Sequence, residues 1–154
     1  MIIAIFWLSY DMFNSKFLVT VQFITVGVIL YPKISQTLVP FWWVLLLIAT
    51  VTALWIFTHN KIGNFNIVPE IKSEAKLIVT GPYRFVRHPM YSSLILFMFG
   101  VVLWHFNWIN VLALFVMSIA VMLKAFKEEK LWNINDESYK NYKSQTKMII
   151  PFLL

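Results

Sequence analysis

Charged residues are absent from three long stretches of the chain, Phe17–Pro32, Ile34–Thr58 and Pro89–Leu123, and this spacing sets the first expectation of structure. A bilayer core about 30 Å thick takes roughly 20 helical residues to cross, so each stretch can be tested by length. Phe17–Tyr31 is short, but Lys16 can snorkel and the helix can extend at either end, which allows one crossing. Phe41–Phe57 is a cleaner candidate. The third stretch would be about 52 Å long as one helix at 1.5 Å per residue, which suits two spans rather than one. The polar interruption His105-Phe106-Asn107-Trp108-Ile109-Asn110 marks the turn between them. The pattern therefore predicts an all-α integral membrane protein with about four transmembrane helices, near 15–32, 40–57, 89–105 and 108–126. Met1–Tyr10 is apolar but too short to span alone. It lacks the basic start and small-residue cleavage site of a signal peptide, so it is expected to extend the first helix or lie in the interface.

Composition agrees. The chain is 60% hydrophobic and only 13% charged, about half the charge of an ordinary soluble domain, which excludes both a soluble globular protein and a disordered one. With no cysteine, disulfide frameworks, thiolate catalysis and cysteine-ligated metal centres are also excluded. The net charge of +6 invites a nucleic-acid reading until the charges are located. All charged residues except Asp11, Lys16 and Lys33 fall within Thr58–His88 or Lys124–Leu154. Four spans place these two segments on one side of the membrane, and the positive-inside rule makes that side cytoplasmic. Both termini are then cytoplasmic, with the turns at Lys33 and His105 outside. The positive balance is thus topological, and no basic groove for nucleic acid is expected. Trp7, Trp42, Trp43, Trp104, Trp108 and Trp132 lie near predicted helix ends, as an interfacial belt would. No repeat or second domain is evident. A single membrane domain, 1–154, is expected, comprising N-terminal helices 1–57, a cytoplasmic loop 58–88, a helical hairpin 89–126 and a helical tail 127–154.

Chemistry concentrates in Leu77-Ile78-Val79-Thr80-Gly81-Pro82-Tyr83-Arg84-Phe85-Val86-Arg87-His88-Pro89-Met90-Tyr91, a strand-like apolar run, a Gly-Pro turn and a dense polar cluster ahead of a helix. Pro89 suits a first helical turn, which places His88 at the helix N-terminus. Free N–H groups there, with Arg87, would attract an anionic group and favour a neutral His88. The plainer reading makes Arg84 and Arg87 contacts for lipid phosphate, with Tyr83 and Tyr91 as interface anchors. Glu128 and Glu129 have an equally plain reading as a solvated pair at the membrane exit of a helix, with Lys124 and Lys127 beside it and Lys124 an exposed i,i+4 partner of Glu128. Tyr139 and Tyr142 share one face of the tail and could simply rest on the bilayer surface. His59, His88 and His105 form no metal motif.

The order of residues carries a more specific signal. Gly81-Pro82-Tyr83 followed by Arg87-His88-Pro89-x-Tyr91, and then the paired Glu128-Glu129, closely resembles the isoprenylcysteine carboxyl methyltransferase and phospholipid methyltransferase superfamily. The resemblance runs from Leu77 to Pro151 and includes Tyr139, Tyr142 and a late basic residue, Lys147. Ser93 stands where the family commonly has glycine, Asn135-Asp136 where it has Phe-Gly, and Lys147 where arginine is frequent.

The resemblance implies a methyltransferase that uses S-adenosylmethionine, without a metal. Its cofactor site would be built from Gly81, Pro82, Tyr83, His88, Pro89, Tyr91, Glu128 and Glu129. Arg87, Glu128 and Glu129 would be the catalytic group, and Arg84, Tyr139 and Tyr142 would contact the acceptor. It leaves open which of Glu128 and Glu129 meets the cofactor. The implied acceptor is a membrane lipid or lipidated small molecule, first an isoprenylcysteine-type carboxylate, with phospholipid amines and small thiols as alternatives. A sterol-reductase-like enzyme, which shares the Arg-His-Pro-x-Tyr loop, and a non-catalytic lipid-binding membrane protein are the competing classes.

Overall fold

A computed structural model describes residues 14–31, 37, 39–60 and 76–151. The expected roles of Met1–Tyr10 and of the Lys33 turn lie outside these residues, as does much of the loop expected over 58–88. The described elements are α1 (Ser15–Leu30), α2 (Trp42–His59), a 3-10 turn (Gly81–Arg84), α3 (Pro89–Trp104), α4 (Trp108–Asn135) and α5 (Ser138–Gln145). The first four helices fall where the uncharged stretches predict them. The apolar run before Gly81 is irregular rather than a strand.

Local sequence explains the boundaries. Asn14 and Asn107 cap α1 and α4, their side chains accepting from the backbone N–H groups of Lys16 and Ile109. Pro89 opens α3, with His88 as its N-cap. The hairpin between α3 and α4 is closed by Asn110, whose amide donates to the His105 carbonyl at 2.8 Å.

Packing pairs α1 with α4 and α2 with α3, and α3 and α4 join the two pairs. Leu18 and Val21 of α1 meet Ala120 and Leu123 of α4. Stacked rings of Trp42 and Trp104, 4.5 Å apart, tie the start of α2 to the end of α3. Neighbouring helices are thus antiparallel, and the start of α1, the end of α2, the start of α3 and the end of α4 share one end of the bundle.

In α4, Ala113, Met117, Ala120, Val121 and Lys124 recur at helical spacing on the buried face. Small residues allow close helix approach: a Cβ on Gly100 would lie 2.8 Å from Leu46 Cδ2 and 3.2 Å from Leu45 Cβ. The outer surface is apolar, with Leu47, Val51 and Leu54 of α2 and Leu112, Phe115 and Ile119 of α4 exposed. Among the described helices, α2 and α4 are long and apolar enough to cross a membrane, and α1 and α3 are shorter apolar helices. Exposed apolar surface of this extent fits a protein solvated by lipid.

Candidate functional site

At the shared end of the bundle, the loop 81–88, the charged end of α4, α5 and the tail converge. The turn begins at Gly81, whose φ of +61° lies in the left-handed region that favours glycine. Space makes the same demand, because a Cβ there would lie 2.4 Å from the His59 ring. The tail then runs beside the loop, with Val86 and Lys147 forming a parallel bridge. Arg87 N–H donates to the Lys147 carbonyl at 2.8 Å and His88 N–H to that of Met148 at 3.0 Å. Ser92 Oγ donates to the Ile149 carbonyl at 2.5 Å, and Tyr142 OH to the Tyr83 carbonyl at 2.7 Å. Backbone groups that lack helical partners are thereby satisfied, and the tail is pinned across the start of α3.

Arg87 and Glu129 form the centre of this arrangement. Arg87 Nε donates to Glu129 Oε1 at 2.6 Å, and both side chains are buried. Arg87 Nη1 donates to the carbonyls of Lys143, at 3.2 Å, and Thr146. Lys143 of α5 places its Nζ 2.6 Å from Glu129 Oε2. Arginine suits this role because its planar fork can serve a carboxylate and two carbonyls together, which a lysine ammonium does with less geometric control.

Beside this pair lies a second group. Tyr91 OH donates to Glu128 Oε1 at 2.5 Å, while His88 Nδ1 lies 3.3 Å from Glu128 Oε2. The His88 and Tyr91 rings stack, with centroids 5.6 Å apart. The Glu128 side chain retains 22% exposure against 5% for Glu129, so Glu128 is the carboxylate open to an incoming group.

The electrostatics correct one sequence expectation. A helix N-terminus favours neutral His88, but two carboxylates face it. Burial works against its charge, yet Glu128 and Glu129 outweigh burial and raise its pKa above the ordinary 6.5. Glu129 shows the reciprocal effect: burial pushes its pKa up, but His88, Lys143 and Arg87 hold it well below the usual carboxylate range. Burial pushes the Tyr83 phenol up to about 12, opposed by the hydrogen bond from Asn60, and also raises Tyr139 and Tyr142.

The structure therefore brings together Gly81, Pro82, Tyr83, Arg87, His88, Pro89, Tyr91, Glu128, Glu129, Tyr139 and Tyr142. Tyr139 and Tyr142 are buried, and Tyr139 stacks on Trp132 with centroids 6.2 Å apart. Arg84, by contrast, is exposed at the end of the 3-10 turn.

Sequence reasoning missed Asn60, Ser92, Lys143 and Gln22. The plainer reading of Lys124 as an exposed partner of Glu128 does not hold, because Lys124 is buried and donates to Gln22 Oε1 at 2.7 Å. A signal was present in the sequence, since Lys124 continues the buried stripe through Ala113, Met117 and Ala120. Among the described residues, no group of three or more His, Cys, Asp or Glu could hold a metal ion.

The family model described as phospholipid methyltransferase covers residues 39–135, from just before α2 to the end of α4. No curated protein and no solved structure matches.

Proposed function

Because the chain belongs to the phospholipid methyltransferase family, we propose that it is a multi-pass membrane enzyme that transfers a methyl group from S-adenosylmethionine to a lipid-like acceptor. The observation that carries this reading is the Glu128–His88–Tyr91 group, braced by Arg87–Glu129 at one end of an apolar helical bundle. All four apolar helices cross the bilayer in this reading. The shorter α1 and α3 are supported by their antiparallel partners α4 and α2, and the charged part of α4 beyond residue 126 projects from the membrane. Among the described residues the Lys and Arg side chains gather at the site end, which supports a cytoplasmic orientation.

The residues fit the methyl donor chemically. Three buried polar atoms have no hydrogen-bond partner among the described residues: His88 Nε2, Asn60 Oδ1 and the Tyr139 hydroxyl. His88 Nε2 lies 3.7 Å from Glu129 Oε1, too far for a hydrogen bond. A ring nitrogen, an amide oxygen and a phenol match a ligand that carries an ammonium, a carboxylate and a ribose diol. Glu128 would accept from its ammonium or diol, while Tyr83, Tyr91 and Trp132 provide aromatic faces for its flat and cationic parts. When bound, S-adenosylmethionine supplies an electrophilic methyl group whose bonding electrons stay on the departing sulfur.

The protein's own contribution is then alignment, exclusion of water and management of a proton. Arg87 and the tail hold the loop against α4 and fix His88 and Glu128. The His88–Glu128 pair can take a proton from an amine acceptor before methyl transfer. An isoprenylcysteine-type carboxylate would instead need a cation, and both Arg87 and Lys143 are engaged by Glu129. Arg84, exposed at the end of the 3-10 turn, is the cation left for such a carboxylate; the proton-accepting His88–Glu128 pair suits a phospholipid amine better, with the carboxylate and a small thiol as the other acceptor classes.

The test is incubation of membranes containing the protein with methyl-labelled donor, followed by lipid extraction. Label in a base-stable N-methyl lipid is expected, whereas a base-labile methyl ester would identify a carboxylate acceptor. If purified protein showed neither labelled product nor saturable donor binding, the methyltransferase reading would be overturned.

A further inference from the structure

A charged side chain lies within the apolar seam between α1 and α4. Lys124 is only 2% exposed, and the adjoining positions of the two helices, Leu18 and Val21 on α1 and Ala120 and Leu123 on α4, form an apolar cluster. Its Nζ donates to Gln22 Oε1 at 2.7 Å and lies 5.3 Å from the centroid of the Tyr91 ring. A methionine would fill similar space without removing an ammonium from water, so packing alone does not call for a charge here.

The contacts connect Lys124 to the site. Lys124 stands one helical turn before Glu128, on the same face of α4. The Tyr91 ring under its influence donates through OH to Glu128 and stacks on His88. A continuous chain therefore runs from Gln22 through Lys124 and Tyr91 to Glu128 and His88. Gln22 belongs to α1, outside the segment that matches the family model.

We infer that Lys124, anchored by Gln22, is a positioning residue that holds Tyr91 and Glu128 in register with His88 for proton removal from the acceptor. The inference rests on the methyltransferase reading. The cation acts through Tyr91 by cation–π attraction and on Glu128 through its charge. The other charged and titratable groups around Glu128 and His88 are Glu129 on α4, Tyr83 on the loop and Tyr139 on α5, while Arg87 and Lys143 are held against Glu129. Lys124 differs from them in approaching from the membrane interior.

Lys124→Met and Gln22→Met test the assignment in full-length protein, with steady-state transfer to the acceptor identified above measured across pH. Lys124→Met is expected to lower kcat on the order of ten- to a hundredfold, with KM for the donor little changed. Loss of a nearby cation makes His88 hold its proton to higher pH, so the rising limb of the kcat profile should move alkaline. Gln22→Met keeps the charge but frees it, and should show a smaller loss in kcat. It also serves if Lys124→Met fails to fold. Lys124→Arg should recover part of kcat and return the limb towards its wild-type position. Wild-type kcat and an unshifted profile in folded Lys124→Met, or wild-type behaviour of Gln22→Met when Lys124→Met does not fold, would overturn the positioning role alone. Absence of methyl transfer by the wild-type protein would overturn the enzymatic reading and the positioning role with it.

Discussion

Arg87 and Glu129 are 42 residues apart in the chain, yet Nε of one lies 2.6 Å from Oε1 of the other. This contact joins the loop before α3 to the far end of α4. Through the Arg87 bonds to the carbonyls of Lys143 and Thr146, it also draws in α5 and the tail. Removing one member of a buried pair costs more than the pair contributes, because the other charge is left without compensation. Arg87→Ala should therefore destabilise the protein by about 3 kcal/mol, the lower end of the usual range because Lys143 still faces Glu129. Thermal unfolding in detergent measures this loss. Arg87→Lys should recover only part of it, since an ammonium lacks the fork that reaches the carboxylate and two carbonyls together. Equal stability of the alanine variant and the wild type would contradict the bracing role.

How much of this was legible in the sequence depends on what each residue answers to. Helix positions were readable because lipid imposes a length and a polarity on every span, and the charges mark the ends. The loop and the acidic pair were readable because their spacing is long and specific. Lys124 gave two opposing signals, because a lysine four residues before a glutamate usually marks a solvated face, while its place on the stripe through Ala113, Met117 and Ala120 turns it inward. Lys143 and Asn60 were hidden for another reason: their partners, Glu129 and Tyr83, lie on other elements, and no local pattern encodes that meeting. His88 was assigned to a helix end whose field is weaker than two adjacent carboxylates.

The titration of the site predicts a stability maximum at mildly acid pH. The folded pKa of His88 is raised, so its contribution is fully present below about 6.5 and is lost as pH rises through the folded value. The folded pKa of Glu129 is depressed, so its contribution is present above about 4.5 and is lost as pH falls towards the folded value. Both contributions are retained between those limits. Unfolding temperature measured against pH should fall on either side, and His88→Gln should flatten the alkaline side while leaving most of the acid side. A monotonic profile in the wild type would show that other groups dominate.

Gly81 answers to two separate demands, and a double-mutant cycle separates them. Gly81→Ala must adopt a left-handed φ, at about 1–2 kcal/mol, and must also push aside the His59 ring. His59→Ala removes the second penalty but not the first. The double variant should therefore be more stable than the sum of the two single effects predicts, while remaining less stable than His59→Ala alone. Strict additivity would mean that the ring moves away without cost.

Tyr139 and Tyr142 lie three residues apart on α5, but their hydroxyls have different surroundings. Tyr142 donates to the Tyr83 carbonyl at 2.7 Å, whereas the buried Tyr139 hydroxyl has no partner among the described residues. Tyr142→Phe should thus cost about 1 kcal/mol of stability by losing that hydrogen bond and leaving a carbonyl underserved. Tyr139→Phe removes a polar atom that no described residue satisfies, so it should leave stability unchanged or raise it slightly. If that hydroxyl meets the methyl donor, Tyr139→Phe should weaken donor binding by roughly five- to tenfold, the equivalent of one hydrogen bond. Calorimetric titration of the donor into both variants, alongside their unfolding temperatures, separates the two roles. A stable Tyr139→Phe variant with wild-type donor affinity would remove the Tyr139 hydroxyl from the donor site.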